Sequence, residues 1–329
     1  MPQFDLPLDL LEQYVPEIPE PAGFAEFWRE TIAEARAAAT EPHVERVDAG
    51  FGLLKTFDVT YSGFGGHPIR AWLILPRGVE GPLPGLVTFI GYGGGRGQLA
   101  EWTAMSAAGY AHLVMDTRGQ GSGHRSGATP DPVGSGPHAS GFMTQGIESP
   151  SEHFYRRVFT DAVRALDVLR AHPAVDASRV AVSGGSQGGG IALAVTGILG
   201  LLGESESESA RAAIVDVPFL SHIPHAVRLV DTMPYGEIVQ YLHTHRGAEA
   251  RVFDTLSYFD GTSFAPHALS PAMFSVALRD DICPPSTVYA SYNRYAGPRE
   301  IRVYPFNGHE GGEAFQIGEH MRFLARELA

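Results

Sequence analysis

The segment Arg179-Val180-Ala181-Val182-Ser183-Gly184-Gly185-Ser186-Gln187-Gly188-Gly189-Gly190 runs from a short apolar stretch into a cluster of glycines around one serine. Within it, Gly184-Gly185-Ser186-Gln187-Gly188 fits Gly-x-Ser-x-Gly. The string alone is weak, because a glycine-rich turn with an ordinary serine cap would also satisfy it. Its context is what gives it force. The apolar strand Arg179–Ser183 enters it, and the apolar segment Gln187–Leu202, long enough for a helix, leaves it. A sharp strand-to-helix turn of this kind holds the serine in strained backbone geometry, and the flanking glycines remove side chains that would clash. The turn presents Ser186 Oγ above the sheet at a helix N-terminus. There the backbone N–H of Gln187, helped by the helix dipole, is one oxyanion donor. A nucleotide loop is the other use of such glycines. Neither Gly-x-Gly-x-x-Gly nor Gly-x4-Gly-Lys-Ser/Thr occurs here or in the glycine run 91–97.

The flanks of this turn set the fold class. Strand patterns at Leu86–Ile90, Ala111–Met115, Ala212–Asp216, Met273–Leu278 and Ile301–Phe306 are apolar without alternation, and helical patterns such as Phe154–Arg170 and Thr287–Tyr295 separate them. Apolar strands linked by helices predict a mostly parallel, doubly wound sheet covered on both faces. Upstream, residues 1–21 read as an extended arm. The set Phe24, Phe27, Trp28, Ile32 and Ala35 has helical spacing, and Leu54–Tyr61 and Ile69–Leu75 read as strands. The prediction is one α/β domain over 1–329, with an N-terminal extension 1–83, a long loop insertion 117–153 and a helical insertion at about 219–270.

In α/β enzymes with this turn the partners follow in the order Ser, then Asp or Glu, then His, each just past a sheet strand. His309 lies past the last strand in Asn307-Gly308-His309-Glu310-Gly311-Gly312, and Asp280-Asp281 lies past the penultimate one. His309 is the expected base and Asp280 the expected acid, with Asp216, one strand unit earlier, as runner-up. The loop Gly91-Tyr92-Gly93-Gly94-Gly95 follows an early core strand, which makes the Tyr92 backbone N–H the second oxyanion donor. Together these features predict a serine hydrolase of the α/β-hydrolase fold.

Composition excludes several alternatives. A net charge of −13 makes nucleic acid a poor partner. No apolar run reaches membrane-spanning length, so no membrane is expected. Cys283 is the single cysteine, which rules out an intrachain disulfide. Met1–Leu11 shows no signal-peptide pattern and neither asparagine opens a glycosylation sequon, so a cytoplasmic location is expected. No cofactor is expected. The pairs His222/His225 and His243/His245 lack His-Glu-x-x-His spacing and a carboxylate at ligand distance in sequence. Cys283 stands between the acid and two prolines rather than at a helix start, which argues against a cysteine nucleophile.

Longer blocks carry a resemblance. Phe4-Asp5-Leu6-Pro7-Leu8, Arg118-Gly119-Gln120, Arg157-Val158-Phe159-Thr160-Asp161-Ala162-Val163-Arg164, Asp216-Val217-Pro218-Phe219, Cys283-Pro284-Pro285-Ser286-Thr287-Val288 and His309-Glu310 occur in order nearly end to end. The chain resembles the acetyl xylan esterase / cephalosporin C deacetylase family, carbohydrate esterase family seven. The resemblance implies Ser186 as nucleophile, His309 as base, and Asp280 rather than Asp281 as acid. Tyr92 and Gln187 match its oxyanion positions, and Arg118 and Gln120 match a motif that supports the site. It implies acetyl removal from small acetylated substrates, such as xylo-oligosaccharides or cephalosporin C. It also implies a homohexamer built as a trimer of dimers, with active sites facing an interior cavity. Pro137, Phe142 and Met143 in the 117–153 segment suggest burial against another subunit. Gly93, where the family has asparagine, and Ala277, where it has glycine, depart from the pattern.

Overall fold

The computed structural model describes residues 3–79, 81–134, 138–205 and 209–329. Among these residues nine strands form one sheet: β1 (His43–Val47), β2 (Leu54–Ser62), β3 (Pro68–Pro76), β4 (Leu83–Phe89), β5 (Ala111–Met115), β6 (Val175–Gly185), β7 (Ala212–Asp216), β8 (Ala272–Ala277) and β9 (Arg299–Tyr304). Their spatial order is β1-β2-β3-β5-β4-β6-β7-β8-β9. The extension supplies the antiparallel strands β1–β3, with β3 antiparallel to β5, and all pairs from β5 to β9 are parallel. β1 was not foreseen. Its sequence His-Val-Glu-Arg-Val is almost wholly exposed at the sheet edge, so no hydrophobic pattern announces it. Connections after β4 run toward β5, whereas those after β6 run the other way. The crevice at the carboxyl ends of β4 and β6 is therefore the topological switch point, where open α/β sheets bind ligands.

The alternation of each strand feeds two cores. Val87, Val182, Val215 and Phe274 belong to the core cluster that includes residues of α1 (Phe24–Ala37), α2 (Phe154–Ala171) and α3 (Gln187–Leu202). Leu86, Ala181, Ile214 and Met273 pack with Phe323 and Leu324 of the C-terminal helix. As its apolar sequence predicts, α3 is buried along nearly its whole length. The helical insertion comprises α4 (Ile223–Leu229), α5 (Tyr235–Thr244) and α6 (Glu249–Ser257), and α7 (Pro285–Arg294) and α8 (Glu313–Glu327) complete the helices named here. The N-terminal arm is tied to α7, because Asp5 Oδ2 accepts the Ser286 N–H at 2.7 Å and Asn293 donates to the carbonyls of Leu11 and Tyr14.

Between β5 and α2 the described part of the 117–153 segment forms neither helix nor strand, yet it is not loose. Phe142 and Met143 are buried within a single chain, so they provide no reason for a partner subunit, contrary to expectation. Pro137 lies outside the described residues. Among the described residues, no helix is long and apolar enough to cross a membrane.

Candidate active site

Strand β6 delivers Ser186 into a backbone conformation of φ 57° and ψ −122°, a region natural to glycine. The serine N–H donates to the Asp216 carbonyl at 3.0 Å, and its own carbonyl accepts from Gly190 and Phe219, each at 3.0 Å. Two glycines are obligatory here. A Cβ on Gly184 would lie 2.2 Å from the Gly188 carbonyl carbon, and one on Gly188 would lie 2.3 Å from the Phe89 oxygen. The turn stores strain of roughly 1–3 kcal/mol and is held by contacts on both sides.

His309 Nε2 lies 2.9 Å from Ser186 Oγ, and its Nδ1 lies 2.9 Å from Asp280 Oδ2. The Asp280 carboxylate has no solvent exposure, and its other oxygen accepts the N–H groups of Ile282 at 2.8 Å and Cys283 at 2.9 Å. An acceptor at Nδ1 fixes the tautomer that leaves Nε2 free to take a serine proton. The structure thus brings Ser186, Asp280 and His309 together. For its neighbour Asp281, the structure gives a bond at the backbone, whose carbonyl accepts the Thr232 hydroxyl, while the bond to His309 is made by Asp280. The runner-up Asp216 is engaged with α8 through Gln316, at 2.7 Å, and His320, at 2.6 Å.

Tyr92 and Gln187 flank the serine from β4 and α3. Among the described residues, neither backbone N–H is given to an acceptor of the chain, which leaves both available to an oxyanion. Gln120 supports this turn directly. Its Oε1 accepts the Gly93 N–H at 2.8 Å, and its Nε2 donates to Gln187 Oε1 at 2.9 Å. Gln187 in turn donates to the Ile90 carbonyl at 3.0 Å and accepts from Tyr155 at 2.9 Å. Gly93, the departure from the family pattern, has φ 76° and is pinned by that bond to Gln120. Arg118 is fully buried. It pairs with Asp161 at 2.6 and 2.8 Å and with Asp131 at 3.3 Å, fastening the long loop to α2. Sequence reasoning missed Tyr155, the Gln187 side chain and Glu237. Glu237 accepts the Tyr92 phenol at 2.5 Å across a separation of 145 residues, which no local pattern signals.

Cys283 immediately precedes Pro284, the N-cap of α7, so the expectation that it lies away from a helix start is corrected. Burial nevertheless pushes its thiol well above the usual range, with the Asp280 charge adding to the effect, which disfavours the nucleophilic thiolate. His222 and His225 stack on each other at 4.9 Å, and His245 stacks on Tyr241 at 4.2 Å. Among the described residues, Asp280, Cys283 and His309 are the one cluster of three potential metal ligands. Its imidazole and carboxylate are already bonded to each other.

The family model described as acetyl xylan esterase (AXE1) matches residues 1–327. The acetyl xylan esterase from Paenibacillus sp. R4 superposes with a TM-score of 0.89 at 37% identity, covering 98% of this chain and 100% of that one. Acetyl xylan esterase 1 from Thermoanaerobacterium sp. JW/SL YS485 gives 0.89 at 30% identity, covering 99% and 100%. The curated acetyl esterase Axe7A of Xylanibacter ruminicola is 25% identical over 310 residues, covering 92% of this chain. The chain spans 65% of that relative's length. With a whole-length family match and two relatives at 30% identity or more, the chain belongs to the acetyl xylan esterase family.

Proposed function

We propose that the protein is a serine esterase that removes acetyl groups from small acetylated molecules, of the kind represented by acetylated xylo-oligosaccharides and cephalosporin C. The observation that carries this reading is the unbroken chain Asp280–His309–Ser186, with both contacts at 2.9 Å, in a chain of the acetyl xylan esterase family. His309 takes the Ser186 proton as Oγ attacks the acetyl carbonyl. The Tyr92 and Gln187 N–H groups hold the oxyanion, and His309 returns the proton to the leaving alcohol. Water, activated by the same imidazole, then releases acetate from the acetyl-enzyme.

The test is direct. A serine-directed sulfonyl fluoride should label Ser186, and Ser186→Ala should lose several orders of magnitude in turnover of p-nitrophenyl acetate. Full activity in that variant would overturn the assignment. Hexanoate turned over faster than acetate would point instead to a general short-chain carboxylesterase. Assembly as a hexamer belongs to this proposal and rests on family resemblance. A monomer in light scattering would remove it.

A further inference from the structure

The turn that bears the Tyr92 N–H is held from two sides. On one, Gln120 takes the Gly93 N–H. On the other, the Tyr92 side chain enters a junction of four groups. Its hydroxyl donates to Glu237 Oε1 at 2.5 Å and accepts the N–H groups of Gly141 at 3.2 Å and Phe142 at 3.0 Å. The second carboxylate oxygen of Glu237 accepts the Met143 N–H at 3.1 Å. The Tyr92 ring packs edge-on against Phe142 at 5.6 Å and Phe219 at 6.1 Å.

Glu237 is an unusual group to find here. It is only 8% exposed, and its hydrogen-bond partners are a phenol and a backbone amide rather than a cation. A carboxylate withdrawn from water without a counter-charge is expensive, and burial raises its pKa above the ordinary range. A neutral glutamine could not replace it without loss. The Tyr92 hydroxyl is already accepting two N–H groups, and Met143 supplies a third donor. The junction therefore needs an acceptor on both sides, which only a carboxylate gives.

We infer that Glu237 is a positioning residue of the esterase: through the Tyr92 phenol it sets where the Tyr92 backbone N–H stands relative to Ser186, and it locks residues 141–143 to the same point. This inference rests on the Ser186 reading proposed above. An oxyanion donor contributes only when it stands within hydrogen-bond reach of the charge that develops, and a displacement of about 1 Å costs up to a hundred-fold in rate. Loosening the clasp should therefore lower turnover while leaving ground-state binding almost unchanged.

The experiment compares Glu237→Gln, Tyr92→Phe, the double variant and Ser186→Ala on p-nitrophenyl acetate, with an alkyl boronic acid as tetrahedral mimic. The Tyr92→Phe change keeps the backbone N–H and removes only the hydroxyl, so it reports on position. The expected result is a fall in kcat of roughly ten- to a hundred-fold in each single variant, with KM within about threefold. The double variant should be little worse than the more impaired single one, and boronic acid affinity should weaken in step with kcat. If Ser186→Ala is inactive but both clasp variants keep kcat within about twofold of the parent, the inference is overturned and the esterase reading stands. A drop in thermal stability with unchanged kcat and boronic acid affinity would also overturn it, leaving Glu237 a scaffold residue. Full turnover in Ser186→Ala would overturn both.

Discussion

Two aspartate–histidine pairs stand at the ends of the neighbouring parallel strands β7 and β8, and only one of them reaches a nucleophile. In front, Asp280 and His309 meet at 2.9 Å and the imidazole continues to Ser186 Oγ. Behind the turn, His320 Nε2 lies a shorter 2.6 Å from Asp216 but out of hydrogen-bond alignment, and Asp216 accepts from Gln316. The rear pair touches the elbow only through the backbone, since the Asp216 carbonyl takes the Ser186 N–H. It borders a cavity of about 270 Å³ lined by His112, Ser183, Gly184, Gly185, Asp216 and His320, among others. The shorter contact is not the catalytic one. What separates the pairs is the third partner and the surroundings. His309 keeps 31% of its side chain exposed over a carboxylate with none, whereas His320 and Asp216 are each 13% exposed. The front pair is built to move a proton, and the rear carboxylate fastens α8, through Gln316, to β7, the neighbour of the strand that carries the serine.

The comparison breaks most visibly at the acid. Asp280→Asn should cut kcat by up to about 10⁴-fold, because an amide favours the wrong imidazole tautomer. Its neighbour Asp281→Asn should stay within about twofold, and the reverse ranking in esterase assays would exchange their roles.

A second test concerns pH. Burial pushes the His112 imidazole down to about 4 from an ordinary 6.5. Between those values the unfolded chain holds a proton that the folded ring refuses. The contribution is therefore complete above pH 6.5 and is lost as pH falls toward 4. Denaturant titrations should show the stability gap between the parent and His112→Gln narrowing by up to about 3 kcal/mol across that window. A gap that widens on acidification would contradict a neutral, buried His112.

The smallest effect is expected at the rear carboxylate. Asp216→Asn should lower unfolding stability by about 2 kcal/mol while kcat changes less than about fivefold. A loss of turnover comparable to that of Asp280→Asn would erase the distinction between the pairs.

Much of the front was legible in the sequence because it is encoded locally. The glycines around Ser186, the aspartate past β8 and the histidine past β9 each sit beside a strand whose apolar run marks its place. Chain order admits both Asp216 and Asp280, and it is the strand position, one unit earlier for Asp216, that favours Asp280, where proximity to a histidine would not separate them. The clasp was not legible. Tyr92, Gly141 and Glu237 meet across separations of 49 and 145 residues, and Glu237 sits in a helix with no motif. Strand β1 escaped for the opposite reason, since an exposed edge strand needs no apolar pattern. In sequence, Phe142 and Met143 suggest burial against another subunit because they are costly to leave solvated in a segment whose Gly, Pro and Ser content offers no core of its own. In the fold they are covered by their own chain.

The backbone angle at residue 186 has a consequence for how such a protein changes over generations. At φ 57° and ψ −122° a glycine would rest without the penalty a serine bears. Heat resistance and reactivity are thus opposed at one dihedral. Under selection for endurance alone, mutational drift at this codon should favour losing the hydroxyl, and the serine persists only where its product is needed.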